Sequence, residues 1–210
     1  MLKPSKLFAI LRHEIDFKKT GLDVDYAIVV YDSEKTIRLF FQGSQSAIDW
    51  IINFCFPVKP YKKAKYRLLY HYGWSKAYRS AKDKIMAELV QVSNSLPDYD
   101  VEIVGHSLGG ALACYAAEDF NFRTTKKPTL ITFGAPKPAF GSKTKQRLLE
   151  SCAKVYQFIH RNDFVPCLPP FYKHLDTIKL GKFKFKDIFK FAFYHTHYDD
   201  ETYYDGVAVL

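Results

Sequence analysis

Val101-Glu102-Ile103-Val104-Gly105-His106-Ser107-Leu108-Gly109-Gly110 decides how this chain is read. Four residues of strand character run into a G-x-S-x-G, and an Ala-rich segment with a helical apolar pattern, Ser107 to Phe120, follows at once. Glycines at 105 and 109 leave room for a sharp strand-to-helix turn, which holds Ser107 in a strained conformation and pushes its hydroxyl into the open. The helix behind it points its free N–H groups and the positive end of its dipole at the same place. The expected product is a nucleophile elbow.

Working outward, Tyr26 to Tyr31 and Thr36 to Phe41 are apolar, β-branched runs on either side of the polar tetrad Asp32 to Lys35, which predicts an antiparallel hairpin. From Tyr72 to Val92, Trp74, Ala77, Tyr78, Ala81, Ile85, Leu89 and Val92 recur at three- and four-residue spacing, the mark of an amphipathic helix. Beyond the elbow, Thr129 to Phe133 and Val155 to Ile159 read as strands around a polar-faced helix from Lys143 to Cys152. Strands separated by helix-length segments imply right-handed crossovers and a mostly parallel central sheet with helices on both faces. With the elbow, the fold class is α/β, specifically the α/β-hydrolase fold with an N-terminal antiparallel hairpin. No linker tract or internal repeat divides the chain, so one domain over residues 1–210 is expected.

A serine hydroxyl is a weak nucleophile near neutral pH and needs a base that a carboxylate orients, in this fold in the chain order Ser, acid, His. Asp163 stands directly after the strand ending at Ile159, where parallel sheets place their sites, and is the expected acid. Asp176 and Asp187 lack that position. Of the four later histidines, His160 lies on the strand itself and His174 precedes a strand-like stretch. That leaves His195 and His197. His197, which opens a polar loop, is preferred as base over His195, which continues an aromatic run. The oxyanion needs amide donors: the N–H of Leu108 is one, and Gly43-Ser44, where an early strand stops, supplies the other, with Ser44 the better placed.

Composition narrows the partners. The 31 Lys and Arg against 22 Asp and Glu give a formal charge of +9, which attracts anions. No Arg-rich run, zinc-ligand spacing or nucleic-acid module is present, so nucleic acid is not the expected partner. No cofactor or metal is expected, because no ligand cluster is legible and this chemistry needs none. Four cysteines without a C-x-x-C pair read as thiols rather than a disulfide framework. The N-terminal apolar stretch is too short for a secretory signal and no run reaches membrane-spanning length, so the expected location is cytoplasmic, with peripheral contact to anionic membranes a further expectation. The last invites attention to Lys182 to Phe193, where Lys and Phe alternate; a solvated edge strand or amphipathic helix is the first reading of the pattern, and a cationic surface that meets anionic membranes the second.

Five motifs in series resemble the class 3 lipase family, which includes the secreted fungal triacylglycerol lipases. They are Phe41-Gln42-Gly43-Ser44 with Asp49-Trp50 and Asn53, His71-Tyr72-Gly73-Trp74, Gly105 to Gly110, Thr132-Phe133-Gly134-Ala135-Pro136, and Asn162-Asp163-Phe164-Val165-Pro166 with Leu168-Pro169. The resemblance implies Ser107 as nucleophile, Asp163 as acid, a C-terminal His as base, Ser44 and Leu108 at the oxyanion, and a lipid or small ester as substrate. It also implies a lid after the oxyanion strand, here Gln45 to Pro60 with Ile48, Trp50, Ile51, Ile52, Phe54 and Phe56; a helix packed in the core is the competing reading. Gln42 departs from the family's usual Arg, and the C-terminal region fits in two registers, through Tyr203 and His197 or through Asp200 and His195. The functional expectation is a serine hydrolase of carboxylic esters, with lipid acyl esters as the expected substrates and a non-catalytic lipid- or membrane-binding scaffold as the alternative.

Overall fold

The computed structural model describes residues 3–20, 24–43, 58–63, 66–182, 184–185, 190 and 194–195. After a short helix α1 (Pro4–Ala9), which continues as a π-helical stretch to Glu14, strands β1 (Tyr26–Tyr31) and β2 (Thr36–Phe41) form the expected hairpin. Strands β3 (Val58–Lys63) and β4 (Tyr66–His71) precede the long helix α2 (Tyr72–Ser95). The alternation that follows is β5 (Asp100–His106), α3 (Leu108–Thr124), β6 (Thr129–Phe133), β7 (Ala139–Phe140), α4 (Ser142–Glu150), β8 (Lys154–His160), β9 (Tyr172–Lys173) and β10 (Thr177–Leu180).

The main sheet has the order β1-β2-β5-β6-β8-β10, antiparallel at β1 and parallel from β2 onward. Because strand side chains alternate between faces, the sheet feeds two cores. Ile37, Leu39, Phe41, Ile103 and Leu130 meet helices α2 to α4 on one face, joined by Trp74, Ile85, Leu89, Leu112, Phe120 and Leu148. Phe40, Val104, Ile131, Phe133, Phe158 and Leu180 face the opposite way, onto Leu7, Phe8, Ile10 and Leu11 of the N-terminal helix. Helices on both faces are therefore borne out.

A second sheet, β3-β4-β7-β9, is antiparallel throughout and was not legible beforehand. Two of its strands are only two residues long, and β3 carries Pro60. Proline lacks an N–H and sits on edge strands, and β3 is an edge strand here. His71 explains its place at the opening of α2: its Nδ1 accepts the Trp74 N–H as a cap, and the two rings stack with centroids 4.0 Å apart.

The second face also holds an ionic cluster at the β1–β2 turn. Arg38 is 1% exposed, donates from Nε to Glu102 Oε2 at 2.6 Å and from Nη2 to Glu34 Oε2 at 2.6 Å, and lies over the Tyr31 ring. Among the described residues, no helix is long and apolar enough to cross a membrane.

Candidate active site

Ser107 occupies the turn between β5 and α3 with φ 54° and ψ −129°. A positive φ is costly for a residue bearing a Cβ, and packing enforces it here. The Ser107 N–H donates to the Phe133 carbonyl at 2.9 Å, fastening the turn to the end of β6. Gly105 permits the close approach: a Cβ there would lie 2.3 Å from the Gly109 carbonyl oxygen. Leu108 opens α3, so its N–H is in the first turn, where no intrahelical carbonyl reaches it.

Asp163 lies on the loop after β8, three residues past the strand. Its two oxygens have separate tasks. Oδ1 accepts the Val165 N–H at 2.9 Å, which holds the carboxylate in a fixed orientation, and Oδ2 lies 2.8 Å from His195 Nδ1. A carboxylate in this pair accepts, so Nδ1 carries the proton and Nε2 is left as a proton acceptor. His195 Nε2 and Ser107 Oγ are both buried without a hydrogen-bond partner among the described residues.

The imidazole that meets Asp163 is thus that of His195, whereas the sequence reading prefers His197, which lies outside the described residues. Tyr194, the last aromatic residue before His195, is anchored in the site. Tyr194 stacks on His160 with ring centroids 4.2 Å apart, and the His195 ring lies 4.8 Å from that of His106. His106 Nε2 is 2.8 Å from the His195 carbonyl oxygen and therefore donates to it. Burial, then the neighbouring His195, holds the His106 imidazole well below its ordinary range, so it stays neutral.

Two further differences concern access. The hydroxyl expected in the open is enclosed, with Ser107 1% exposed, Asp163 3% and His195 3%. Gly43 closes over the elbow so tightly that a Cβ there would come within 3.0 Å of Ser107 Cβ. Ser44 and residues 45–57 of the lid expected over Gln45 to Pro60 lie outside the described residues, while Val58 to Pro60 belong to β3. A cavity of about 440 Å³ borders Asp163 on its outer side and is lined by Lys137, Arg161, His174 and Lys179 among others; Ser107 is not part of its wall. Among the described residues, no group of three or more His, Cys, Asp or Glu could hold a metal ion.

A strained serine between a parallel strand and a helix, with a carboxylate–imidazole pair drawn from segments beyond later strands, defines the class: this is an α/β-hydrolase fold. The family model for lipase (class 3) matches residues 38–173. A lipase of Rhizomucor miehei is 30% identical over 155 residues, which are 70% of this chain and 41% of that protein. The secreted mono- and diacylglycerol lipase A of Penicillium cyclopium is 29% identical over 142 residues, 68% of this chain and 46% of that one. A solved triacylglycerol lipase whose catalytic centre is a serine protease triad superposes with a TM-score of 0.69 at 25% identity, over 79% of this chain and 64% of that one. The chain belongs to the class 3 lipase family. It spans about half the length of the curated relatives it matches.

Proposed function

We propose that this chain is a single-unit carboxylic ester hydrolase of lipid acyl esters, working through an acyl-enzyme with Ser107 as nucleophile, His195 as base and Asp163 as the orienting acid. The observation that carries the reading is the 2.8 Å pair between Asp163 Oδ2 and His195 Nδ1, which leaves Nε2 ready for the Ser107 proton. His195 is preferred to His197 on that contact.

The steps follow from the roles. Nε2 takes the hydroxyl proton as Oγ attacks the ester carbonyl carbon. The tetrahedral oxyanion accepts from the Leu108 N–H and from Ser44. Collapse expels the alcohol, which receives the proton back from His195 and leaves an acyl group on Ser107. Water, deprotonated by His195, then attacks the acyl carbonyl and releases the carboxylic acid, restoring the serine.

Because Ser107 is enclosed, the site has to open before an acyl chain enters. Peripheral contact with anionic membranes belongs to the same proposal. Phe164 and Phe185 are 54% and 79% exposed, and Asn162 clasps the Lys184 backbone through both amide atoms, at 2.9 and 3.1 Å, which holds the two aromatics close to exposed Arg161, Lys182 and Lys184. Free thiols at Cys114, Cys152 and Cys167 fit a reducing cytoplasmic setting, testable by cell fractionation.

The test is Ser107→Ala assayed on a panel of short and long acyl esters, with fluorophosphonate labelling of the unaltered protein. Loss of turnover by about 10⁶-fold and labelling at Ser107 are expected. Undiminished hydrolysis by the alanine variant overturns the proposal; binding to phosphatidylserine vesicles without labelling or turnover points instead to a non-catalytic membrane-binding scaffold.

A further inference from the structure

The resting site contains an unusual gap in its bonding: Ser107 Oγ and His195 Nε2 are buried, yet neither has a hydrogen-bond partner among the described residues. Their mutual placement is therefore not secured by a bond between them. Asp163 fixes the imidazole from its far side only, through Nδ1. That contact orients the ring but does not by itself fix how far Nε2 stands from Ser107 Oγ.

One residue spans the open side. His106 precedes Ser107 directly in the elbow, and its side chain reaches the backbone of the base, with Nε2 donating to the His195 carbonyl at 2.8 Å while the two rings lie 4.8 Å apart and tilted by 34°. The His106 imidazole is itself wedged from behind: the Phe8 ring of α1 meets it edge-on at 5.4 Å, and the Gly43 backbone passes so close that a Cβ there would lie 3.2 Å from His106 Nδ1. With 3% exposure, the ring has no room to turn aside.

We infer that His106 is the positioning residue that sets the distance between nucleophile and base, by tying the His195 backbone to the elbow. This rests on His195 being the base. The nucleophile and the strut are consecutive residues, so any motion of the elbow carries His195 with it. Neutrality suits the role, because His195 becomes an imidazolium during turnover and a second positive ring beside it would oppose that step. The N-terminal helix, which carries no chemistry, acts on the site through Phe8 and this ring.

A residue that works through His195 can matter only while His195 is present, whereas one that merely supports the fold matters in either background. His106→Phe keeps a ring for Phe8 and removes the donor; His106→Gln puts an amide N–H near the position of Nε2. His106→Phe should lower kcat about 100-fold, the cost of roughly 1 Å of misplacement, with KM changed less than about threefold. The loss should be larger for alkyl esters, whose leaving group needs the proton from His195, than for nitrophenyl esters. His106→Gln should recover most of the loss, and His106→Phe should have no further effect in a His195→Ala background. Near-normal kcat in His106→Phe overturns the inference, as does an equal loss when His195 is already absent, which marks elbow distortion. Should His106→Phe not fold, nitrogen-15 spectra of the unaltered protein decide: a protonated, slowly exchanging Nε2 on His106 is required, and an Nδ1–H tautomer refutes it. A fully active His195→Ala variant counts against the choice of base instead.

Discussion

Gly105→Ala probes the elbow at its tightest point. A Cβ at residue 105 would stand 2.3 Å from the Gly109 carbonyl oxygen, 2.5 Å from its carbon and 2.7 Å from the Gly110 nitrogen, against 3.4 Å or more for ordinary contact. All three atoms are backbone in the first turn of α3, so none can rotate away. Relief requires the start of α3 to slide about 1 Å from β5, in a region where Phe41, Val104 and Ala111 are fully buried. Overpacking of this kind costs about 1–3 kcal/mol, and backbone atoms on both sides put the cost at the upper end. For a chain of this length each kcal/mol lowers Tm by about 2–4 °C, so a fall of roughly 6–12 °C is expected by thermal denaturation. The same displacement moves Ser107 and the Leu108 N–H away from the base, and 1 Å is worth about 100-fold in turnover. A variant that melts within 2 °C of the parent and hydrolyses a nitrophenyl ester within about threefold of its rate would falsify the claim that the glycine is needed for the approach.

Three other outcomes follow from the geometry. Asp163→Asn keeps the shape of the loop but turns the partner of His195 Nδ1 from acceptor to donor or neutral amide, so kcat should fall about 10⁴-fold with little change in KM; steady-state kinetics on a soluble ester reads it. Glu102→Ala strips Arg38 of one of its two carboxylates in a buried setting and should cost about 3 kcal/mol in urea unfolding, while Arg38→Met with Glu102→Leu should cost far less; equal losses would contradict this. His174 donates from Nε2 to the Pro166 carbonyl, and burial, with the nearby Lys137, Lys145 and Lys179, pushes its pKa down to about 4. Above pH 6.5 it is neutral folded or unfolded and contributes nothing to pH dependence. Below 6.5 the unfolded chain takes up a proton that the folded one refuses, so stability falls until about pH 4, by roughly 3 kcal/mol. His174→Gln should flatten that acid slope in urea titrations at successive pH values; an unchanged slope rules out the role.

Much of the fold was legible because its signals are local. The hairpin strands appear with the boundaries expected, and so does Thr129–Phe133. Helix α2 runs three residues beyond the expected Val92, and α4 ends two short of Cys152; end fraying and capping decide such limits, not periodicity. In the second sheet, β7 and β9 were invisible because pairing as brief as Ala139 with Lys173 has no periodic pattern to detect. Within the site, Ser107 and Asp163 announce themselves by what immediately precedes them, a glycine turn and the end of a strand. His195 does not, since nothing in Tyr194-His195-Thr196-His197 says which ring turns inward.

By itself the sequence determined the hairpin, the strand and helix alternation from Tyr72 to Ile159 and the strained serine, because hydrophobic period and glycine sterics act over a few residues. Only the tertiary structure decided which imidazole meets Asp163 across 32 positions, and that the serine's neighbour grips the base across 89. Contacts over such separations depend on where loops are brought by packing on both faces of the sheet, and no local rule encodes that distance.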